Sequence, residues 1–253
     1  MFLREIPILL HHGRQYVPDL RHVELPDTFR GRPVISPDIT PEENTMIASL
    51  CPVAAIGVQP CSIDLGKCVF CKECGFILPG KIKFTSDYRM ATNDRKKLVI
   101  LPGEEGPLRL DPGKIRDEIH RIFRRSLKLR QVSAGGDNSA EMELNAAGNV
   151  NFDMGRFGIE FVASPRHADG IVITGPVTSN MAEALQICYE AIPDPKLVIL
   201  AGSDAIGGGM FSDSPAINRS FLKQVAIDLF IPGNPPHPLT FINGVLDLIG
   251  HEQ

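Results

Sequence analysis

The sequence predicts an α/β protein in two parts: a small N-terminal α+β part built round a metal site, and a C-terminal five-stranded parallel sheet with helices on both faces. Three observations carry this. From position 127 onward, β-like runs alternate with segments of helical period, the pattern of a parallel sheet. The first hundred residues are instead rich in proline and turn signals, with only brief apolar stretches. Finally, five of the six cysteines fall between positions 51 and 74.

In chain order, the apolar stretches of the first part lie at 8–10, 80–84 and 97–101. Residues 101–113 (LPGEEGPLRLDPG) hold three prolines and three glycines, which neither a helix nor a central strand tolerates, and so predict a linker. Over 114–130, Ile115, Ile119, Ile122 and Phe123 recur at helical spacing among seven basic residues. This reads as an amphipathic helix with a solvated basic face, or one that meets an acidic partner or anionic membrane surface. Five buried strands are then expected at 127–132, 158–163, 170–174, 196–200 and 226–231, with helices near 138–147, 179–191, 214–224 and 237–249. In the second of these helices, Met181, Leu185, Cys188 and Ile192 share one face. The loops that follow the strands, at 133–140, 164–169, 175–178, 202–209 and 232–236, are rich in glycine and proline. In an open parallel sheet that edge is where a ligand or partner is met.

Composition narrows the function. A chain of 253 residues with 43% apolar and 22% charged residues can bury a core. Its net charge of -4 argues against a nucleic-acid partner, which would require a basic surface. No apolar run approaches the roughly 18 residues of a membrane helix. Arg4 and Glu5 interrupt any export-signal core, so a reducing, cytoplasmic compartment is expected, where clustered cysteines are metal ligands rather than disulfides.

Cys68, Cys71 and Cys74 have the Cys-x2-Cys-x2-Cys spacing that wraps backbone round three corners of an iron-sulfur cube, and Cys51-Pro52 supplies the exchanged fourth ligand of a two-cluster ferredoxin. One 4Fe-4S cluster is therefore expected on Cys51, Cys68, Cys71 and Cys74. The same spacing rule puts a second set at positions 41, 44, 47 and 78, where Pro41, Asn44, Ile47 and Leu78 stand, so that set is missing as a whole. The rival is a four-cysteine zinc site, but zinc usually takes two separated Cys-x2-Cys knuckles. Cys61 fits neither frame and reads as a free thiol or packing residue, and Cys188 as core.

The segment Ile63-Asp-Leu-Gly-Lys-Cys-Val-Phe-Cys71, with Asp87-Tyr-Arg-Met90, resembles the ferredoxin-like subunits of formate hydrogenlyase and other group 4 hydrogenases. From about 126 to 250 the chain resembles the small subunit of those NiFe hydrogenases and the 20 kDa subunit of respiratory complex I. That likeness rests on Ser126-Leu-Lys-Leu-Arg130, Arg156-Phe-Gly158, Ala163-Ser-Pro-Arg-His-Ala-Asp169, Thr174-Gly-Pro-Val-Thr178, Pro193-Asp-Pro195 and Ile231-Pro-Gly233 with Pro235-Pro236. The resemblance implies a fusion: a ferredoxin-like 4Fe-4S domain over 1–100, a linker and basic helix over 101–125, and a flavodoxin-like small-subunit domain over 126–253. In the family, four cysteines hold a proximal 4Fe-4S cluster; the matching positions here are Asp137, Ala140, Asp204 and Asn234, and no thiolate remains.

The resemblance further implies an electron-transfer accessory subunit of a membrane-associated hydrogenase-like or complex I-like assembly. It would dock a hydrogenase-type large subunit, with other ferredoxin-like or membrane-arm subunits nearby, and meet the cytoplasmic face of the inner membrane only through partners. No catalytic constellation is present in the sequence, so oxidoreductase activity is expected only within the complex. The alternative is a non-redox structural or assembly subunit. For Asp137, Asp204 and Asn234 two readings stand: polar groups and water that satisfy one another, or an oxygen-ligand cation or proton-transfer site. Arg166 and His167 are read as either functional or structural.

Overall fold

The computed structural model describes residues 2–13 and 15–251; positions 1, 14, 252 and 253, which fall within the expected segments 1–100 and 126–253, lie outside it. Helix α1 (Phe2–His12) precedes an irregular stretch that leads to β1 (Pro33–Ile35), α2 (Pro41–Leu50), β2 (Ile56–Gly57), β3 (Ser62–Asp64), α3 (Glu73–Ile77), β4 (Ile82–Phe84) and β5 (Val99–Ile100). Strands β1 and β4 form an antiparallel ribbon, and β2, β3 and β5 a three-stranded antiparallel sheet. The start of α2 is set by a capping box. Thr40 Oγ1 accepts from the Glu43 N–H, the Glu43 carboxylate accepts from the Thr40 N–H, and Pro41 occupies the first turn, where its missing donor costs nothing.

Residues 101–111 contain no helix or strand. The amphipathic stretch then forms only α4 (Asp117–Phe123), shorter than its periodicity over 114–130 suggests. Ile119 and Phe123 are buried, but Ile122 is 46% exposed, and from Leu127 the chain runs as a strand of the sheet. Nor is the basic face uniformly solvated: Arg116 bonds the carboxylates of Asp228 and Glu118 and the Lys196 carbonyl.

The sheet comprises β6 (Leu127–Ser133), β7 (Ile159–Phe161), β8 (Gly170–Thr174), β9 (Leu197–Ala201) and β10 (Leu229–Ile231). They are parallel throughout, in the order β10-β9-β8-β6-β7. Read from the other edge this is 2-1-3-4-5, the flavodoxin-type doubly wound order, whose direction reverses between β6 and β8. Between the strands lie α5 (Ser139–Ala147), α6 (Ser179–Glu190) and α7 (Ser203–Gly207), and α8 (Pro238–Leu248) follows the last of them.

Alternation along the central strands divides the core into two apolar layers. Leu127, Leu129, Val172, Leu197 and Ile199 pack with Ile119 and Phe123 of α4, Leu144 of α5 and most of α8. Val132, Ile171, Ile173, Val198 and Leu200 pack with Leu185 of α6 and with Ile35, Ile47, Leu65, Leu98 and Ile100 of the first hundred residues. The second layer thus draws on both parts of the chain, and the near-continuous apolar strands are what two covered faces require. Met181 and Cys188 pack at its margin, and so does Cys61.

The helix expected over 214–224 does not form; that segment holds only a 3-10 turn over Phe221–Lys223. Its backbone pairs instead with the loop after β8, where Ser179 N–H donates to Ala216 O and Asn218 N–H to Val177 O. Arg219 caps the carbonyls of Ala205 and Ile206 and reaches those of Pro176 and Asp204. These non-local bonds outweigh the modest preference of the segment for helix.

The entry to α8 supplies a pH-sensitive cap. His237 Nδ1 accepts from the Leu239 N–H, and the ring packs edge-on against Phe29 and Phe152. Burial lowers its pKa to about 4, so the folded chain keeps it neutral at pH values where the unfolded chain binds a proton. The stabilisation is complete above the ordinary value of 6.5 and is lost as pH falls toward about 4. His237→Asn, which retains a cap acceptor, is expected to flatten the dependence of Tm on pH between about 7.5 and about 4.5; an unchanged slope would assign it to another group. Among the described residues, no helix is long and apolar enough to cross a membrane.

Candidate redox site and the pocket at the sheet edge

The four cysteines expected to act together line one cavity, with Ile47, Val53, Ile63 and Phe84 among its apolar walls. Cys51 follows the last turn of α2, and the other three lie on the loop that leads into and through α3. That loop coils tightly, with Phe70 and Lys72 at φ of 53° and 71°, a left-handed conformation that non-glycine residues adopt only when held there. Two sulfurs meet backbone donors: Ala55 N–H lies 3.2 Å from Cys51 Sγ, and Phe70 N–H 3.3 Å from Cys68 Sγ. Arg30 reaches across to the carbonyls of Phe70 and Cys71.

Burial pushes the Cys68 thiol up to about 12, with the neighbouring Cys74, Cys51 and Cys71 adding to the rise against the Phe70 N–H. Cys74 rises to about 11, again chiefly from burial and then from Cys71. The thiolates of Cys68 and Cys74 are thus disfavoured in this cavity unless a positive centre is bound with them. Cys61 does not line the cavity. Among the described residues, no group of three or more His, Cys, Asp or Glu side chains is arranged to hold a metal ion.

The positions the spacing rule assigns to a second set of cysteines are differently used. Asn44, 1% exposed, donates from Nδ2 to the carbonyls of Gly57 and Val58, and Ile47 and Leu78 are buried in the core. Pro41 heads α2.

Asp137, Ala140, Asp204 and Asn234, distant in sequence, line one pocket at the C-terminal ends of β6, β9 and β10, beside the reversal of strand order. Glycines shape it: Gly175 has φ of 76°, and a Cβ there would lie 2.5 Å from Gly136 N. Asn234 Nδ2 donates to Asp204 Oδ1 at 3.4 Å. Asp137 sits at the exposed lip, where the Ser139 hydroxyl and N–H hold its carboxyl below the usual range. The pocket also holds Glu141, a residue that sequence reasoning missed; it is 7% exposed and accepts a hydrogen bond from the Thr174 hydroxyl. Its one sequence signal is its place directly after Ala140. Arg166 and His167 stand in the turn before β8, and both are exposed.

Burial, followed by the charges of Asp137 and Glu141, raises the Asp204 carboxyl above its ordinary 3.8. A raised carboxylate costs the folded state once ionised: the penalty is absent below 3.8 and grows as pH climbs through the folded value. Asp204→Asn is therefore expected to raise Tm at neutral pH, with the two melting curves converging as pH falls toward 3.8. A lower Tm at neutral pH would mean that the ionised carboxylate is required by its neighbours.

A 2-1-3-4-5 sheet with a pocket at its switch point defines a flavodoxin-type doubly wound domain. The family described as NADH ubiquinone oxidoreductase, 20 Kd subunit, matches residues 138–248, and the chain belongs to that family. It is 38% identical over 129 residues to the probable membrane-bound hydrogenase subunit mbhJ of Pyrococcus furiosus, which is 51% of this chain and 77% of that one. It is 45% identical over 108 residues to an NADH-quinone oxidoreductase subunit of Heliobacterium modesticaldum, or 42% of this chain and 62% of that one. It is 38% identical over 128 residues to formate hydrogenlyase subunit 7 of Escherichia coli, or 51% of this chain and 50% of that one.

Proposed function

We propose that this chain is an electron-transfer accessory subunit of a membrane-associated, hydrogenase-like or complex I-like assembly, and that it fuses two units. Residues 1–100 form the ferredoxin-like unit and carry one 4Fe-4S cluster on Cys51, Cys68, Cys71 and Cys74. Residues 101–125 connect it to a small-subunit-like unit over 126–253, which docks a hydrogenase-type large subunit and meets other ferredoxin-like or membrane-arm subunits. The chain sits peripherally on the cytoplasmic face of the membrane, attached through these partners.

The observation that carries this reading is the single cavity shared by four thiols, two of which accept backbone N–H bonds. Such donors and burial are the levers by which a protein sets the potential of an iron-sulfur cluster. When bound, the cluster supplies one-electron transfer. A cube takes one thiolate on each iron, whereas four sulfurs on a single zinc at about 2.3 Å would crowd to about 3.8 Å apart. The pocket at the sheet edge offers oxygen and nitrogen in place of thiolates at Asp137, Asp204 and Asn234, and soft iron-sulfur chemistry is not assigned to it.

The test is the iron and sulfide content of anaerobically prepared protein, read with its visible spectrum and a redox titration. About four irons per chain with a reducible brown chromophore is the expected result. A colourless or zinc-loaded folded chain would overturn it. In that case the thiolate-free pocket would favour the second reading, a non-redox structural or assembly subunit of the same kind of complex.

A further inference from the structure

The cysteine cavity and the sheet-edge pocket meet at α7. Its first residue, Ser203, is fully buried, and its Oγ lies 2.7 Å from the Cys68 carbonyl, 3.2 Å from that of Gly233 and 3.4 Å from that of Leu65. A hydroxyl has one proton to donate, and Cys68 O is the nearest acceptor. Gly233 O already receives the Ser203 N–H at 2.8 Å.

The rest of the contact leaves little freedom. The Cys68 N–H donates to Asp64 O at 2.9 Å, and Asp64 is fixed by two bonds from Arg95, at 2.8 and 2.7 Å. Near the other end of α7, the backbones approach so closely that a Cβ on Gly207 would lie 2.4 Å from Gly66 O. Cys68 is thus held at its N–H from its own part of the chain and at its carbonyl by Ser203, from the sheet.

We infer that Ser203 is a positioning residue that sets the reduction potential of the cluster held by Cys68; this rests on the electron-transfer reading above. Reduction adds negative charge beside a buried peptide carbonyl whose oxygen is itself the negative end of a dipole. The Ser203 hydroxyl presents the positive end of its own dipole to that oxygen, offsets part of the field, and so favours the reduced state. Without the hydroxyl the carbonyl is uncompensated, and the potential becomes more negative. The C-terminal part of the chain, which keeps no thiol at its own pocket, would thereby act on the redox centre of the N-terminal part.

The test compares full-length wild-type, Ser203→Ala and Ser203→Thr proteins, prepared anaerobically, by iron content and redox titration. Ser203→Ala is expected to keep about four irons per chain and to shift the one-electron reduction equilibrium about tenfold toward the oxidised state, a change of about 59 mV. Ser203→Thr, which keeps the hydroxyl, should recover most of that shift. An unchanged potential in Ser203→Ala overturns the inference. So does loss of iron from both variants when the wild type keeps it, since Ser203 would then be a packing residue. Absence of iron from the wild type is a separate failure, that of the electron-transfer reading itself, and this inference falls with it.

Discussion

Replacing Cys71 by Ser is expected to remove the brown chromophore and reduce iron from about four per chain to less than about one, while Cys61→Ser leaves both intact. Both residues are partly buried, so exposure does not separate them. Position does: Cys71 lines the cavity with Cys51, Cys68 and Cys74, whereas Cys61 lies outside it and packs at the edge of the core. A serine hydroxyl is a harder donor than a thiolate and ionises far less readily, so one corner of the cube would be left without a strong ligand. Iron and sulfide assays with visible absorbance check the pair. Equal iron loss in both variants would mean that the cavity assignment is wrong.

Phe241→Ala is expected to cost about 3–5 kcal/mol, the largest effect on stability among these substitutions. The ring is fully buried in α8 and stacks on Phe161 of the edge strand β7, with centroids 5.8 Å apart and planes 29° from parallel. At about 2–4 °C per kcal/mol for a chain of this size, Tm should fall by roughly 10 °C. Urea unfolding would check it, with an unchanged m value expected; a loss below about 1 kcal/mol would show that neighbouring side chains collapse into the gap.

Much of the C-terminal sheet is legible in the sequence because its signal is local. Runs such as Gly170–Thr174 are apolar at nearly every position, as a strand buried on both faces must be, and glycine marks their ends. The segment 214–224 departs from its expected helix because its fate depends on distant groups, the carbonyls of α7 that Arg219 caps and the loop after β8 that Ala216 and Asn218 join. Likewise, the periodicity of 114–130 combines the short α4 with a strand, since Leu127 and Leu129 follow Ile119 and Phe123 at spacings that suit either period. At the sheet edge, glycine-rich loops mark the place, and the resemblance brings Asp137, Ala140, Asp204 and Asn234 together. Glu141 gives no such signal because a glutamate early in a helix is ordinary, and only folding shows that it points into the pocket wall beside Thr174.

The two places without cysteines differ in how their space is filled. At the sheet edge a polar hollow persists, walled by side chains that could be exchanged for thiols one at a time. At the other set, Ile47 and Leu78 are buried, and Asn44 fastens the backbone at Gly57 and Val58. Cysteines at 47 and 78 would have to replace packed hydrocarbon, and one at 44 would give up the bonds that Asn44 makes to Gly57 and Val58. Building a thiolate set there therefore costs packing at Ile47 and Leu78, a cost that the already polar pocket at the sheet edge does not impose.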